Sequence, residues 1–175
     1  MRKTIQAGIG IVFLSFFVCA CATYDFYSRN LFAGKESFEK NRYGEAQRYL
    51  KAAARDSIDG AALTYLAVIA YKEKDFEAAR KFIASAETAP PDTISSLRMY
   101  GYKALILLAL NKAEGMSALK EYIDRYDGLY PLESINDVKA MRESGKIDGP
   151  RLEAIIDEQV KWYERDMKLC IYDNV

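Results

Sequence analysis

Few residues in this chain could do covalent or acid–base chemistry. Three are cysteines, at positions 19, 21 and 170. A thiolate is a strong nucleophile and a good acceptor of an alkyl or acyl group. Cys19 and Cys21 stand two apart at the end of an apolar run, and Cys170 is alone near the C-terminus. Histidine is absent, which removes the usual proton shuttle near neutral pH and the commonest metal ligand. Ser–His and Cys–His catalysis are excluded with it. A zinc site needs several Cys or His ligands, and beyond the N-terminal pair only Cys170 remains. Asp124 and Asp127 share a helical face, but no Asp-x-Asp-x-Asp-Gly loop surrounds them, so calcium is not expected. The remaining carboxylates are spread over solvated faces, and none pairs with another as an evident acid and base. The residues thus predict no catalytic group, no cofactor and no metal.

The N-terminus explains the first two cysteines. Met1-Arg2-Lys3-Thr4 is a short positive segment, and Ile5 to Val18 is mostly apolar. The apolar stretch as a whole is about 16–18 residues, short for a membrane span of about 20, and reads as a secretory leader. It ends in Val18-Cys19-Ala20-Cys21. This ending resembles the bacterial lipobox: aliphatic, variable, small, cysteine. Cys19 at the variable position departs mildly from the commonest choices. The resemblance implies a diacylglyceryl thioether on Cys21, cleavage after Ala20 and, in many species, a third acyl chain on the new amino terminus. Each buried methylene contributes about 0.8 kcal/mol, so one chain holds weakly and two or three hold firmly. Ala22, where a retention signal would carry Asp, implies the periplasmic face of the outer membrane in a diderm organism. The competing reading, an uncleaved signal anchor, fits a run this short less well. Ser37-Phe38-Glu39-Lys40 and Ser117-Ala118-Leu119-Lys120 match the S-x-x-K pattern of penicillin-recognising enzymes. Neither has an S-D-N or K-T-G companion, and two matches in one short chain are read as chance.

The body must then be built from helices. Half of the residues are apolar, and Lys plus Arg equals Asp plus Glu at 25 each. Without Arg2 and Lys3 the balance is about 23 to 25, which offers no broad attraction for nucleic acid. Periodic patterns predict helix pairs at Arg29–Lys40 with Tyr43–Arg55, Gly60–Glu73 with Asp75–Ala89, and Asp92–Leu110 with Ala113–Tyr126. Two more helices are expected at Pro131–Glu143 and from Pro150 to about Ile171. Gly34, Tyr43, Ala46, Leu50 and Ala53 return 33 positions later as Ala67, Phe76, Ala79, Ile83 and Ala86.

This echo resembles the tetratricopeptide repeat. The second repeat carries Leu63, Leu66-Ala67, Ala79, Ile83, Ala86 and Pro91 at the family's offsets, with the aromatic expected at 70 arriving as Tyr71. The first carries Ala33-Gly34, Ala46, Leu50 and Ala53, with Asn30 in the leading large position. The third starts with Leu97, Tyr100-Gly101 and Ala104. Its Ala118-x-x-x-Tyr122 then comes about five residues late, so its first helix should be a turn longer. The expected architecture is all-α: stacked antiparallel helical hairpins, a short tetratricopeptide-like solenoid with a C-terminal capping helix. The expected organisation is a leader over 1–20, a lipidated tether over 21–28, repeats over 29–126, and C-terminal helices over 127–175 on the same domain.

By the same resemblance, the first helix of each hairpin lines a concave groove. That places Leu31, Phe32, Lys35, Phe38 and Glu39, then Thr64, Tyr65, Val68, Tyr71 and Lys72, then Arg98, Met99, Tyr102 and Leu105 on one face. The set is mostly aromatic or apolar, with Lys35, Lys72 and Arg98 scattered through it. It implies a partner helix or an apolar extended segment. Each aromatic alone also suits ordinary packing between hairpins. The last helix carries Leu152, Ile155, Ile156, Val160, Tyr163, Met167 and Cys170 as a stripe, with Asp157–Lys161 and Glu164–Lys168 as acid-before-base pairs on an exposed face. A cap over the solenoid is the reading adopted; a dimer seam of two heptads is the alternative. Cys170 then reads as a small buried hydrophobe or as an intermolecular disulfide partner. The function expected is a membrane-tethered scaffold binding another envelope protein. The alternatives are an accessory or pilot lipoprotein of a secretion, pilus or outer-membrane assembly machine and, from another class, a carboxylate-based glycan-acting enzyme. Of the groove positions only Glu39 supplies the acid that such an enzyme would need.

Overall fold

Alanines at helical spacing let helices approach closely, and they set this fold. The computed structural model describes residues 25–55, 59–89, 92–128 and 132–172, with side chains except those of 132–133 and 167–172. The leader, Cys21, Pro90, Pro91, Pro131 and the side chains of Met167 and Cys170 lie outside the described set. Every element among the described residues is helical: α1 (25–39), α2 (Tyr43–Arg55), α3 (Ala61–Lys72), α4 (Phe76–Thr88), α5 (Thr93–Leu110), α6 (Lys112–Tyr126), α7 (Leu132–Ser144) and α8 (Gly149–Tyr172). Neighbouring helices pack as pairs, the arrangement expected of an all-α helical-repeat fold. The chain divides into two compact units, Met1–Ile58 and Asp59–Val175. The division falls inside the expected repeat run, after its first hairpin.

In the first unit, residues 25–28, where the sequence predicted a tether, are already helical. Tyr27 in that added turn is buried. Such a ring gains far more from burial than an exposed tether would allow. Gly34 marks the close crossing of α1 with α2: a Cβ there would lie 2.7 Å from the Leu50 side chain.

The 33-residue echo is written into the backbone. In the α1–α2 turn, the amides of Lys40, Asn41 and Arg42 donate to the carbonyls of Glu36, Phe38 and Ser37. In the α3–α4 turn, Glu73, Lys74 and Asp75 donate to Ile69, Tyr71 and Ala70, each bond 33 positions on. Asn41 and Lys74 occupy the same left-handed position, at φ 56° and 63°. Asn tolerates that conformation well; a long side chain such as Lys adopts it only where the surrounding bonds hold it. Ala46, Leu50 and Ala53 are buried on α2, and Ala79, Ile83 and Ala86 match them on α4.

The third hairpin departs as its sequence predicts. α5 has 18 residues against 12 for α3. A single residue, Asn111, links it to α6, and its carboxamide oxygen accepts from the amides of Ala113 and Glu114. Asp75 and Asp92 cap α4 and α5 in the same way, satisfying donors that a helix start leaves without partners. α3 is buried on almost every side, from Ala61 to Ala70, as a helix enclosed by neighbours must be. α8 packs along α5 and against α7.

Candidate functional site

Successive turns of α3 and α5 bring one face of the second unit together. Tyr65 and Val68 of α3 are buried, as are Arg98, Met99 and Tyr102 of α5. Tyr71 and Lys72 are half-buried at the end of α3. The Tyr71 and Tyr102 rings meet edge-on at 5.5 Å. The Arg98 guanidinium lies 4.3 Å from the centre of the Tyr65 ring, and the Lys72 ammonium 5.7 Å from that of Tyr102. Two cations, Lys72 and Arg98, are thus set among aromatic rings.

The open groove implied by the repeat resemblance is filled along α5 by the chain's own last helix. Leu152, Ile155, Ile156 and Val160 of α8 are buried. At the crossing with α5, a Cβ on Gly101 would lie 2.6 Å from Ile156. Above this apolar ridge runs a polar row. Lys72 donates to Glu153 at 2.5 Å and pairs with Asp157 at 3.5 Å. The Tyr102 hydroxyl donates to Asp157 at 2.9 Å. Arg98 pairs with Glu164 at 3.1 Å. Tyr122 of α6 donates its hydroxyl to the carboxamide oxygen of Gln159. Gln159 is fully buried, and its amide nitrogen has no hydrogen-bond partner.

These contacts correct the surface reading of α8. Asp157, expected to pair with Lys161 along an exposed face, reaches Tyr102 and Lys72; Glu164 reaches Arg98, and the side chain of Lys168, its expected partner, lies outside the described residues. The reason is spacing: Glu153, Asp157 and Glu164 stand at i, i+4 and i+11, within about 40° of one another around the helix. They flank the apolar ridge and follow it into the groove. The sequence reading did not single out Glu153 or Gln159. The three-acid stripe beside the apolar ridge was the available signal.

Electrostatics follow burial. Burial opposes the charge on Arg98, but Tyr65 and Glu164 outweigh it and hold the guanidinium above its ordinary value. Burial first, and then the charges of Asp157 and Glu153, push the Tyr102 phenol far up. Tyr71 is raised for the same two reasons, burial first and then chiefly the charge of Glu153. These rings stay neutral donors at any physiological pH.

In the first unit, Phe32 is 71% exposed and Lys35 and Phe38 are half-buried. The Phe38 ring packs at 5.8 Å on Tyr43. Past the first turn of α8, Tyr71, Leu105, Leu108, Ala109, Lys112 and Ile147 line a mostly apolar cavity of about 360 Å³. Among the described residues no cluster of acids and cysteines is placed to hold a metal ion, and no helix is long and apolar enough to cross a membrane.

No protein-family model, curated protein or solved structure matches the chain.

Proposed function

We propose that this chain is a bacterial envelope lipoprotein, anchored through a lipid on Cys21, whose helical body binds another envelope protein and carries out no catalysis. The observation that carries the binding half is the face on α3 and α5, which holds an amphipathic helix through one apolar ridge and a row of cation–acid and phenol–acid contacts. Laying an amphipathic helix into such a groove is a recurring mode of peptide recognition. The anchoring half rests on Val18-Cys19-Ala20-Cys21 following a short apolar run. The membrane expected is the outer one, with the body on its periplasmic side.

Anchoring is tested with Cys21→Ser. Palmitate labelling should vanish and an unprocessed precursor should accumulate. Undiminished labelling, or a mature chain starting elsewhere, overturns it. Binding is tested by photo-crosslinking from position 72 in intact cells. A single protein joined at that position supports the reading, and products indistinguishable from those of an exposed control position such as Lys161 overturn it.

A further inference from the structure

The α8 helix has the composition of a ligand more than that of a core element. It is the last helix, and residues 145–148 join it to α7, with Gly145 in the left-handed region at φ 65°. Its apolar ridge is shared with polar contacts to three different helices: Lys72 on α3, Arg98 and Tyr102 on α5, and Tyr122 on α6. One of its buried side chains, Gln159, has an amide nitrogen without a partner. A buried donor of this kind makes the closed state less favourable than a fully matched one. At the first turn of α8, Leu105, Leu108 and Ala109 of α5 line a cavity together with Gly145, Ile147 and Gly149 of the segment that leads into it.

We propose that α8 is an intramolecular stand-in for the partner, and that the partner presents an amphipathic helix bearing the same acidic stripe. The reading rests on the binding role proposed above and names the chemistry that the groove selects. The partner helix carries carboxylates at i, i+4 and i+11 for Lys72, Tyr102 and Arg98, flanked by an apolar ridge with a branched residue seated against Gly101, as Ile156 is. It also carries a large apolar residue about one turn before the position of Leu152, which enters the cavity. That extra residue matters energetically. A tethered helix competes at a high effective concentration, so a partner displaces it only through contacts that α8 does not make. The cavity and the unmatched Gln159 supply that difference. Closed, the chain shields an apolar face; open, it offers that face to a helix of defined charge pattern.

The test uses the full chain in mild detergent and a labelled peptide with the sequence of residues 149–172. A second full chain carries Glu153→Gln, Asp157→Asn and Glu164→Gln, which weakens its own α8. The peptide should bind this variant at least tenfold more tightly than the unaltered chain. A peptide carrying the same three neutral substitutions should lose at least tenfold on the variant. Equal affinity for both chains, or equal affinity of both peptides, overturns the proposal. Hydrogen exchange on the unaltered chain guards against a variant that fails to fold. Amides of 149–166 should exchange through an opening that leaves α3 and α5 protected. Exchange of α8 only together with α3 and α5 overturns the proposal. A chain that ignores the peptide yet dimerises with concentration also overturns it, by giving the groove to the α8 of a second copy. Crosslinking from position 72 to another protein while the peptide fails would leave the binding role standing and remove only this account of its chemistry.

Discussion

The α3–α4 hairpin and the α5–α8 face bury helices by opposite means. α3 and α4 pack together and bury small or apolar residues, Ala67 and Ala70 on α3 and Ala79, Ile83 and Ala86 on α4. Small residues bring the helices close, and dispersion over a tight surface supplies the attraction. Between α5 and α8 the ridge of Ile155, Ile156 and Val160 shares its surface with Arg98–Glu164, Lys72–Asp157 and the Gln159 carboxamide. Packing favours any apolar helix of suitable shape, whereas the polar row favours one with acids in the right places. The first contact holds the fold together, and under the proposed reading the second selects what lies on it.

The sharpest way to break this contrast is Tyr102→Ala. Tyr102 is fully buried and also donates to Asp157, so the truncation should cost about 3–5 kcal/mol by chemical denaturation. A loss below about 1 kcal/mol would show that the ring is not part of the interior and that α8 lies elsewhere in solution. Ala79→Leu probes the other region. Overpacking the crossing should cost about 1–3 kcal/mol, and in hydrogen exchange it should loosen α3 and α4 more than α8. An unmoved midpoint would mean that the hairpin register is wrong.

Alkaline titration probes the second region without mutation, because the phenols raised most, Tyr102, Tyr122 and Tyr126, lie on α5 and α6. Tyr102 and Tyr122 are raised chiefly by burial, and Tyr126, raised for the same reason, is pushed up to about 12. A folded value above the ordinary 10 means that the folded state holds its proton longer. The associated stability is complete below pH 10 and is lost as pH rises through 10 toward the folded value. The slope should approach about 1.4 kcal/mol per pH unit for each such tyrosine, and Tyr102→Phe should reduce it. An identical slope in that variant would discard Tyr102 as a contributor. The smallest effect is expected of Lys72→Met. Its pairs with Glu153 and Asp157 are partly exposed, so the loss should stay within about 1 kcal/mol. It should instead weaken binding of an acidic helix, and that divergence between stability and binding is the clearest sign that the polar row serves selection.

Much of the helical scaffold was legible because periodicity and punctuation are local. Tyr43–Arg55 and Lys112–Tyr126 fall within a residue of the segments predicted, and Asp75, Asp92 and Asn111 cap the helices that follow them. The longer third hairpin was legible from the late Ala118. The early start of α1 was not, since Asp25–Ser28 resembles a tether until Tyr27 finds a place in the interior. Within each helix some neighbours could be read directly: Tyr65, Val68 and Lys72 on α3, and Arg98 and Tyr102 on α5, stand three or four apart and so share a face.

By itself, then, the sequence determined that the chain is helical, where its hairpins turn, which residues share a face, and that Cys21 stands where a lipobox would place it. Tertiary structure alone decided what covers that face. A stripe of apolar residues states that a helix must bury one side, but it does not name the surface that receives it. Glu153, Asp157 and Glu164 read as ordinary solvated acids until α8 is laid along α5, where Lys72, Tyr102 and Arg98 wait at matching heights. Pairings between positions 55 to 81 residues apart leave no trace in local periodicity, because the free energy that selects them arises only when the chain has closed on itself.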